Sequence, residues 1–396
     1  MRAILFICEG GLALVDESFQ PLASRRFSSD PVYAAEKMLN GESTQEFVAL
    51  LEEAKRKNVD TILVHDQKLF PPIIDSGFAV KLMEPTLLAS LHRERLSLIV
   101  RSGFASDTES ARQLVQSFAV QRALRRLVEY AGRPDRHVAQ AVSCVEELDR
   151  INNLIWGRLR EWYSLHFPEL ASLVTDANMY SQMVLQFGRR ELFTPEALSR
   201  LAISEAKSRA IIQASRESKG ADLRDEDLAQ ISRLAETYLH LDGMRKRMSE
   251  HVSKTMQIIA PNLTSVVGPL VGAKLIARAG GLDKLASLPS STIQLLGAEK
   301  ALFRSLRTGT KPPKHGILFQ HPLVHGSPRW QRGKIARVLA NAVAIAARID
   351  LYRGELDATL PQKLERRVAE IKAKYASPPS KPEKRAKGRG KKSRGA

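Results

Sequence analysis

The sequence predicts a multidomain α+β protein that is mostly α, and three observations carry that expectation. A short strand–turn–strand pattern opens the chain, two long runs of apolar residues at spacings of three and four fill its middle, and the last third is helix-patterned and strongly basic. The predicted order is a small N-terminal α/β domain, a long antiparallel coiled-coil hairpin and an all-helical C-terminal domain. A chain of 396 residues has room for roughly two to four domains, each with its own core.

Composition narrows the class. Hydrophobic residues at 43% and charged residues at 26% describe a soluble globular protein. No apolar run approaches the roughly 20 residues of a membrane helix, and ILFIC (4 to 8) is too short for a secretory core. Cys8 and Cys144, the 2 cysteines, both sit among apolar neighbours, which suits buried free thiols in a reducing, intracellular setting.

At the N-terminus, AILFIC and LALVD flank Glu9-Gly10-Gly11, and paired glycines between apolar runs predict a tight hairpin. Helical patterns follow at 32 to 39 and 43 to 57, the second opening on the capping-box spacing Ser43-x-x-Glu46. TILVH (61 to 65) and FAVKLM (78 to 83) read as strands on either side of a Pro71-Pro72 break. Helices are then expected from about Thr86 to Val100 and from Asp107 to Ala131, with the domain closing near residue 120. It carries no glycine-rich phosphate loop and no acid–base cluster, so protein docking outranks catalysis.

In the central region, 121 to 257, one seam runs Val138, Val142, Val145, Leu148, Ile151, Ile155, Leu159, Trp162. The other runs Ile231, Leu234, Tyr238, Leu241, Met248, Val252. Such spacing gives two helices that pair as a hairpin, with an ordinary helical bundle as the alternative. The segment between them, broken by Pro168, Gly188, Pro195 and Gly220, must bring the chain back. A hairpin of this kind is a natural dimerisation arm, and Ile231, Leu234, Tyr238, Leu241 and Met248 are its candidate residues.

The net charge of +18 is unevenly spread. Residues 1 to 254 carry 34 basic and 35 acidic groups, whereas 255 to 353 carry 14 and 3. From Lys300 to Arg337 there are nine cations, Lys300, Arg304, Arg307, Lys311, Lys314, Arg329, Arg332, Lys334 and Arg337, and no Asp or Glu. Like charge at that density repels itself unless a polyanion lies beside it, and a phosphate backbone is the obvious one. Lys300, Arg304 and Arg307 fall at i, i+4 and i+7, on one face of a helix that begins near Gly297-Ala298-Glu299; Leu302 and Phe303 are expected in the core. A solvated basic face is the plain alternative. Lys311-Pro312-Pro313-Lys314-His315-Gly316 reads as a stiff loop that presents two cations and an imidazole able to stack on a base. Trp330 is read as core or hinge packing ahead of base stacking.

His321 and His325 imitate metal-ligand spacing, but Pro322 argues against the helix that would align them, and no metal is expected. Gly268 and Gly272 read as small residues that permit close helix packing, with Asn262 and Thr264 capping that helix. The tail, 376 to 396, holds eight cations from Lys381 to Arg394 and almost nothing apolar; it is expected to be disordered, an RNA tether or a solubility tail.

Four segments taken together resemble the Nop-domain family. They are LREWYSLHFPEL (159 to 170), the run from Ile258 to Leu306 that contains GAEKALFR, PKHGILFQHPLV (313 to 324) and RGKIARVLANAVAIAARID (332 to 350). The resemblance is to the archaeal Nop core proteins of C/D box RNA-guided methylation particles, and it spans essentially residues 1 to 375. It implies a non-catalytic scaffold. Residues 1 to 120 would dock fibrillarin, a methyltransferase that itself binds S-adenosylmethionine, so no cofactor is expected here. Residues 121 to 257 would pair two copies. Residues 258 to 375 would bind a kink-turn guide RNA that already carries a small ribosomal-type protein, through Gly297, Ala298, Glu299 and the cations named above, with His315. The setting would be archaeal cytoplasm, or the nucleolus in a eukaryote. A spliceosomal-type Nop scaffold is the nearest rival. A helix-hairpin-helix nuclease is disfavoured because 284 to 349 holds only one carboxylate, Glu299.

Overall fold

The structure is a computed structural model and describes residues 1–378 apart from 29 and 202; the basic-tail expectation lies mostly outside the described residues. The chain divides into two compact units, Met1–Gly132 and Arg133–Ala396, each considered by itself.

The first unit is built on a five-stranded sheet of order β3-β2-β1-β4-β5. β1 (Arg2–Cys8) and β2 (Gly11–Val15) form the expected hairpin, pairing antiparallel from Cys8 opposite Gly11 to Ile4 opposite Val15. β3 (Pro21–Arg26) adds an antiparallel edge that is not evident in the sequence, because PLASRR lacks a run of apolar residues. β4 (Thr61–Val64) and β5 (Ala79–Leu82) join in parallel to β1 and to each other.

On one face, α1 (Pro31–Leu39) and α2 (Gln45–Arg56) bury Met38, Phe47 and Leu50 against Leu5, Leu12 and Ile62. The cap of α2 is Thr44, whose Oγ1 accepts from the Phe47 N–H, and not the expected Ser43. Glu46 is drawn away from a capping box because it accepts from the backbone N–H and hydroxyl of Ser28. Pro71-Pro72 does not break the chain; both prolines fall in the first turn of α3 (Phe70–Asp75), where a missing N–H is tolerated. On the other face the expected single helix is two, α4 (Pro85–Arg93) and α5 (Arg95–Arg101). The bend at Glu94 lets Leu91, Leu98 and Ile99 all reach Ile4, Phe6 and Phe104. α6 (Thr108–Ala131), capped by Asp107, closes the unit.

The second unit is helical. α7 (Pro134–Tyr163) and α12 (Asp225–Ile259) form the antiparallel coiled-coil hairpin. Their direction follows from shared cores: Val138 and Val142 meet Val252 and Met256 at one end, while Leu159 and Tyr163 meet Ile231 and Ala235 at the other. Arg245 pairs with Asp149 midway, at 3.6 Å. At the far end sit α8 (Leu170–Leu173), α9 (Ala177–Phe187), α10 (Pro195–Leu198) and α11 (Glu205–Arg216). His166 and Arg190 tie them down: the imidazole accepts from the Arg190 N–H and bonds the Ala221 carbonyl, and the guanidinium reaches Asp222.

Of the candidate dimerisation residues, Ile231 and Tyr238 are buried in the hairpin's own core, while Leu234, Leu241 and Met248 are half-buried. Both cysteines are free thiols; Cys8 is buried, and burial pushes its pKa up to about 12, but Cys144 is only half-buried on α7, short of the expectation.

At the near end are α13 (Pro261–Val267), α14 (Pro269–Ala279), α15 (Leu282–Ser287), α16 (Ser290–Leu295), α17 (Glu299–Thr308), α18 (Pro322–His325), α19 (Arg329–Tyr352) and α20 (Thr359–Lys374). α19 runs through the middle and buries Ile335, Leu339, Val343 and Ala347. Asn262 and Thr264 cap nothing: both lie inside α13, where Asn262 bonds Asp350 and Thr264 donates to the Met256 carbonyl. Gly268 is the joint between α13 and α14, at φ 78°, and has no close packing contact. Gly272 is the close approach; a Cβ there would lie 3.0 Å from Met256 Cε.

Candidate nucleic-acid interface

The basic stretch folds into three pieces, α17, a loop from 309 to 316, and the first turns of α19. α17 begins where Gly297 adopts φ 85°; a Cβ there would sit 2.6 Å from Ile317 Cγ1, so only glycine allows the chain to pass. Ala298 offers no side-chain cap, and Glu299 reaches back to accept the Gly297 N–H at 2.7 Å. Burial raises the Glu299 pKa, yet the Gly297 N–H, the helix N–H of Glu299 itself and the Arg278 guanidinium 3.7 Å away outweigh it and hold the carboxyl below the usual glutamate range. Glu299 is therefore an anion that organises the turn, and it ties α14 to α17.

α17 touches the rest of the unit through one narrow stripe. Ser305 is buried and donates to the Leu302 carbonyl, and Leu302 is half-buried. Contrary to the expectation, Phe303 is not in the core: it is 67% exposed, and Leu306 is 72% exposed. Phe303 lies about 100° round the helix from Leu302, next to the cationic face. Lys300, Arg304 and Arg307 share that face and are all exposed.

The loop is held by α16. Gln294 Nε2 donates to the Lys314 carbonyl at 2.6 Å, the Gly316 N–H donates to the Gln294 carbonyl, and the Ile317 N–H donates to the Leu296 carbonyl. Lys311 and Lys314 are thereby presented on a fixed strap. His315 stacks on Phe319, ring centroids 4.7 Å apart and 14° from parallel, so one imidazole face is already covered. Burial, followed by the Arg332 and Lys314 charges, lowers the His315 pKa.

On α19, Arg329, Lys334 and Arg337 are exposed, and the Lys334 ammonium lies 4.2 Å from the Tyr375 ring centroid. Arg332 differs. It donates to the Ser327 and His325 carbonyls and lies over the Phe319 ring, so it fastens the α18–α19 corner. Trp330 donates its indole N–H to the Tyr375 carbonyl at 2.9 Å, which makes it a hinge contact between α19 and the end of α20. His321 accepts the Leu323 N–H as the cap of α18. Among the described residues no group of three His, Cys, Asp or Glu side chains is placed to hold a metal.

Lys300, Arg304, Arg307, Lys311, Lys314, Arg329, Lys334 and Arg337 have no carboxylate partner among the described residues. Elsewhere in the second unit arginines such as Arg133, Arg189 and Arg245 are paired. Two grooves border α17, one of about 780 Å³ reaching to α19 and one of about 720 Å³ lined by Arg278, Gly297–Ala301 and Arg304. Arg278 was missed in the sequence because it sits outside the acid-free window, near Asp283; only its pairing with Glu299 brings it to the site.

The family model "Nop: snoRNA binding domain, fibrillarin" matches residues 144–370, more than half of the sequence. The chain belongs to the Nop family. A second family model, described as the N-terminal domain of archaeal Nop5/56-related proteins, matches residues 3–128 of this Nop chain. An uncharacterised NOP5-family protein of Methanocaldococcus jannaschii is 41% identical over 296 residues, covering 74% of this Nop chain and 71% of the relative. Nucleolar protein 58 of Saccharomyces cerevisiae is 33% identical over 368 residues, with 90% and 71% covered. A chain in a crystal structure of a fibrillarin/Nop5p complex is 27% identical with TM-score 0.35, over 66% of this Nop chain and 80% of that one.

Proposed function

We propose that this Nop chain is a non-catalytic scaffold of an archaeal C/D box ribonucleoprotein. It bridges a guide-RNA kink-turn, with its ribosomal-type protein bound, to fibrillarin for RNA-guided 2′-O-methylation of rRNA or tRNA. The observation that carries the reading is the set of exposed cations on α17, the 309–316 loop and α19 that have no carboxylate partner among the described residues. A phosphate backbone is the partner that would relieve their mutual repulsion, with release of counterions. The family model's description names snoRNA and fibrillarin, which supports both partners.

In this reading residues 258–375 form the RNP-binding domain. The hairpin in 121–257 pairs two copies, and residues 1–120 dock fibrillarin. Fibrillarin holds S-adenosylmethionine and does the chemistry, so this chain has no activity of its own. Its place is the cytoplasm of an archaeal cell.

The test is a gel-shift series with kink-turn RNA, kink-turn protein and both. The basic face is narrow, so tight binding is expected only when both are present. Equally tight binding to bare RNA contradicts the reading.

A further inference from the structure

The larger groove beside α17 has two chemically distinct parts. One is apolar, made by Leu295, Leu302, Leu306, the Pro312–Pro313 pair and Trp330. The other is cationic, made by Lys311, Lys314, Lys334 and Arg337, and among the described residues no carboxylate lines the groove. A regular duplex offers such a groove phosphates, sugars and polar base edges but keeps the flat faces of its bases stacked inside, and so leaves apolar lining without a match. An unpaired nucleotide offers a flat, weakly polar base with a phosphate on either side, which suits the apolar and the cationic lining together. Leu306 is 72% exposed, so the groove has apolar surface ready to be covered. Trp330 has its indole N–H engaged by the Tyr375 carbonyl, so its contribution to the lining needs no further hydrogen-bond partner.

We infer that this groove holds an unpaired nucleotide of the bound RNA. Its base lies against Leu302, Leu306 and Trp330, and its phosphates lie against Lys311, Lys334 and Arg337. The inference rests on the RNA-binding reading above and adds that the contact is to a base as well as to phosphates.

The full-length chain is titrated at low salt with octauridylate and with an octamer of the same ribose–phosphate backbone that lacks bases. Charge is equal, so any difference reports the base. Octauridylate is expected to bind about tenfold more tightly and to quench tryptophan fluorescence. Leu306→Ala, at an exposed position where folding has little at stake, should close most of that gap. Equal affinity for the two octamers, binding of neither, or a gap untouched by Leu306→Ala overturns the nucleotide assignment. If Leu306→Ala instead weakens only binding of the kink-turn protein, the groove belongs to that protein and the inference is wrong. Assembly on the kink-turn complex is measured in parallel; its survival in any of these cases leaves the scaffold reading standing, and its absence from the wild type overturns both.

Discussion

Asp350 on α19 caps α13 from 88 residues away in sequence: its carboxylate accepts the Asn262 and Leu263 backbone N–H groups at 2.9 and 2.8 Å. The same carboxylate accepts Asn262 Nδ2 at 2.7 Å. Asn262 in turn donates to the Glu355 carbonyl and accepts the Asp357 N–H, so the start of α13, the end of α19 and the approach to α20 meet at one buried amide. Two N–H groups that a helix start leaves without partners are satisfied this way.

Asp350→Ala should therefore destabilise the second unit. It strands buried donors that cost about 1–3 kcal/mol each, and a total loss near 3 kcal/mol is expected. Urea unfolding followed by tryptophan fluorescence reads the change, because Trp156, Trp162 and Trp330 all lie in that unit. A loss below about 1 kcal/mol would mean that water replaces the carboxylate.

The hairpin gives a second expectation. Ile231 is fully buried against the far-end helices, so Ile231→Ala should cost roughly 2–5 kcal/mol. Leu234 and Leu241 are half-buried, and polar replacement of both should yield monomers in light scattering if the proposed pairing of two copies depends on this helix. A dimer of unchanged affinity puts that interface elsewhere.

Acid should weaken the first unit through Glu46. Burial raises the Glu46 pKa, but the Ser28 hydroxyl and N–H outweigh it and hold the carboxyl at about 2 against an ordinary 4.5. A depressed carboxyl contributes its stability in full above the unfolded value of 4.5 and loses it as pH falls towards 2. Calorimetry should show Ser28→Ala melting below the wild type at pH 7, with the gap shrinking near pH 2. An equal gap at both pH values would assign the effect to packing.

Much of this architecture is legible locally. Gly10-Gly11 between apolar runs gives the hairpin, and the three–four seams of α7 and α12 give the coiled coil. What is not legible depends on distant partners. Asn262 looks like a cap because nothing near it in sequence announces Asp350. Phe303 looks like core because apolar type alone cannot say which face of a short helix turns inward; the buried position went to Ser305. The cations stand out by their lack of local carboxylates, and the exposed ones have no carboxylate partner among the described residues. Arg332 looks like one of them in sequence, yet its bonds to the Ser327 and His325 carbonyls mark it as a structural residue.

If the exposed cations of α17 hold phosphate, the salt dependence of RNA assembly runs through them. Lys300→Ala with Arg304→Ala removes two exposed side chains from one helix face. If each meets one phosphate, the slope of log affinity against log salt should fall by roughly 1.4 to 1.8, about 0.7 to 0.9 per contact, in assembly with the kink-turn protein. Fibrillarin binding should be untouched in that variant and lost when residues 1–120 are deleted, so the two functions separate. An unchanged salt slope in the double variant would contradict the account.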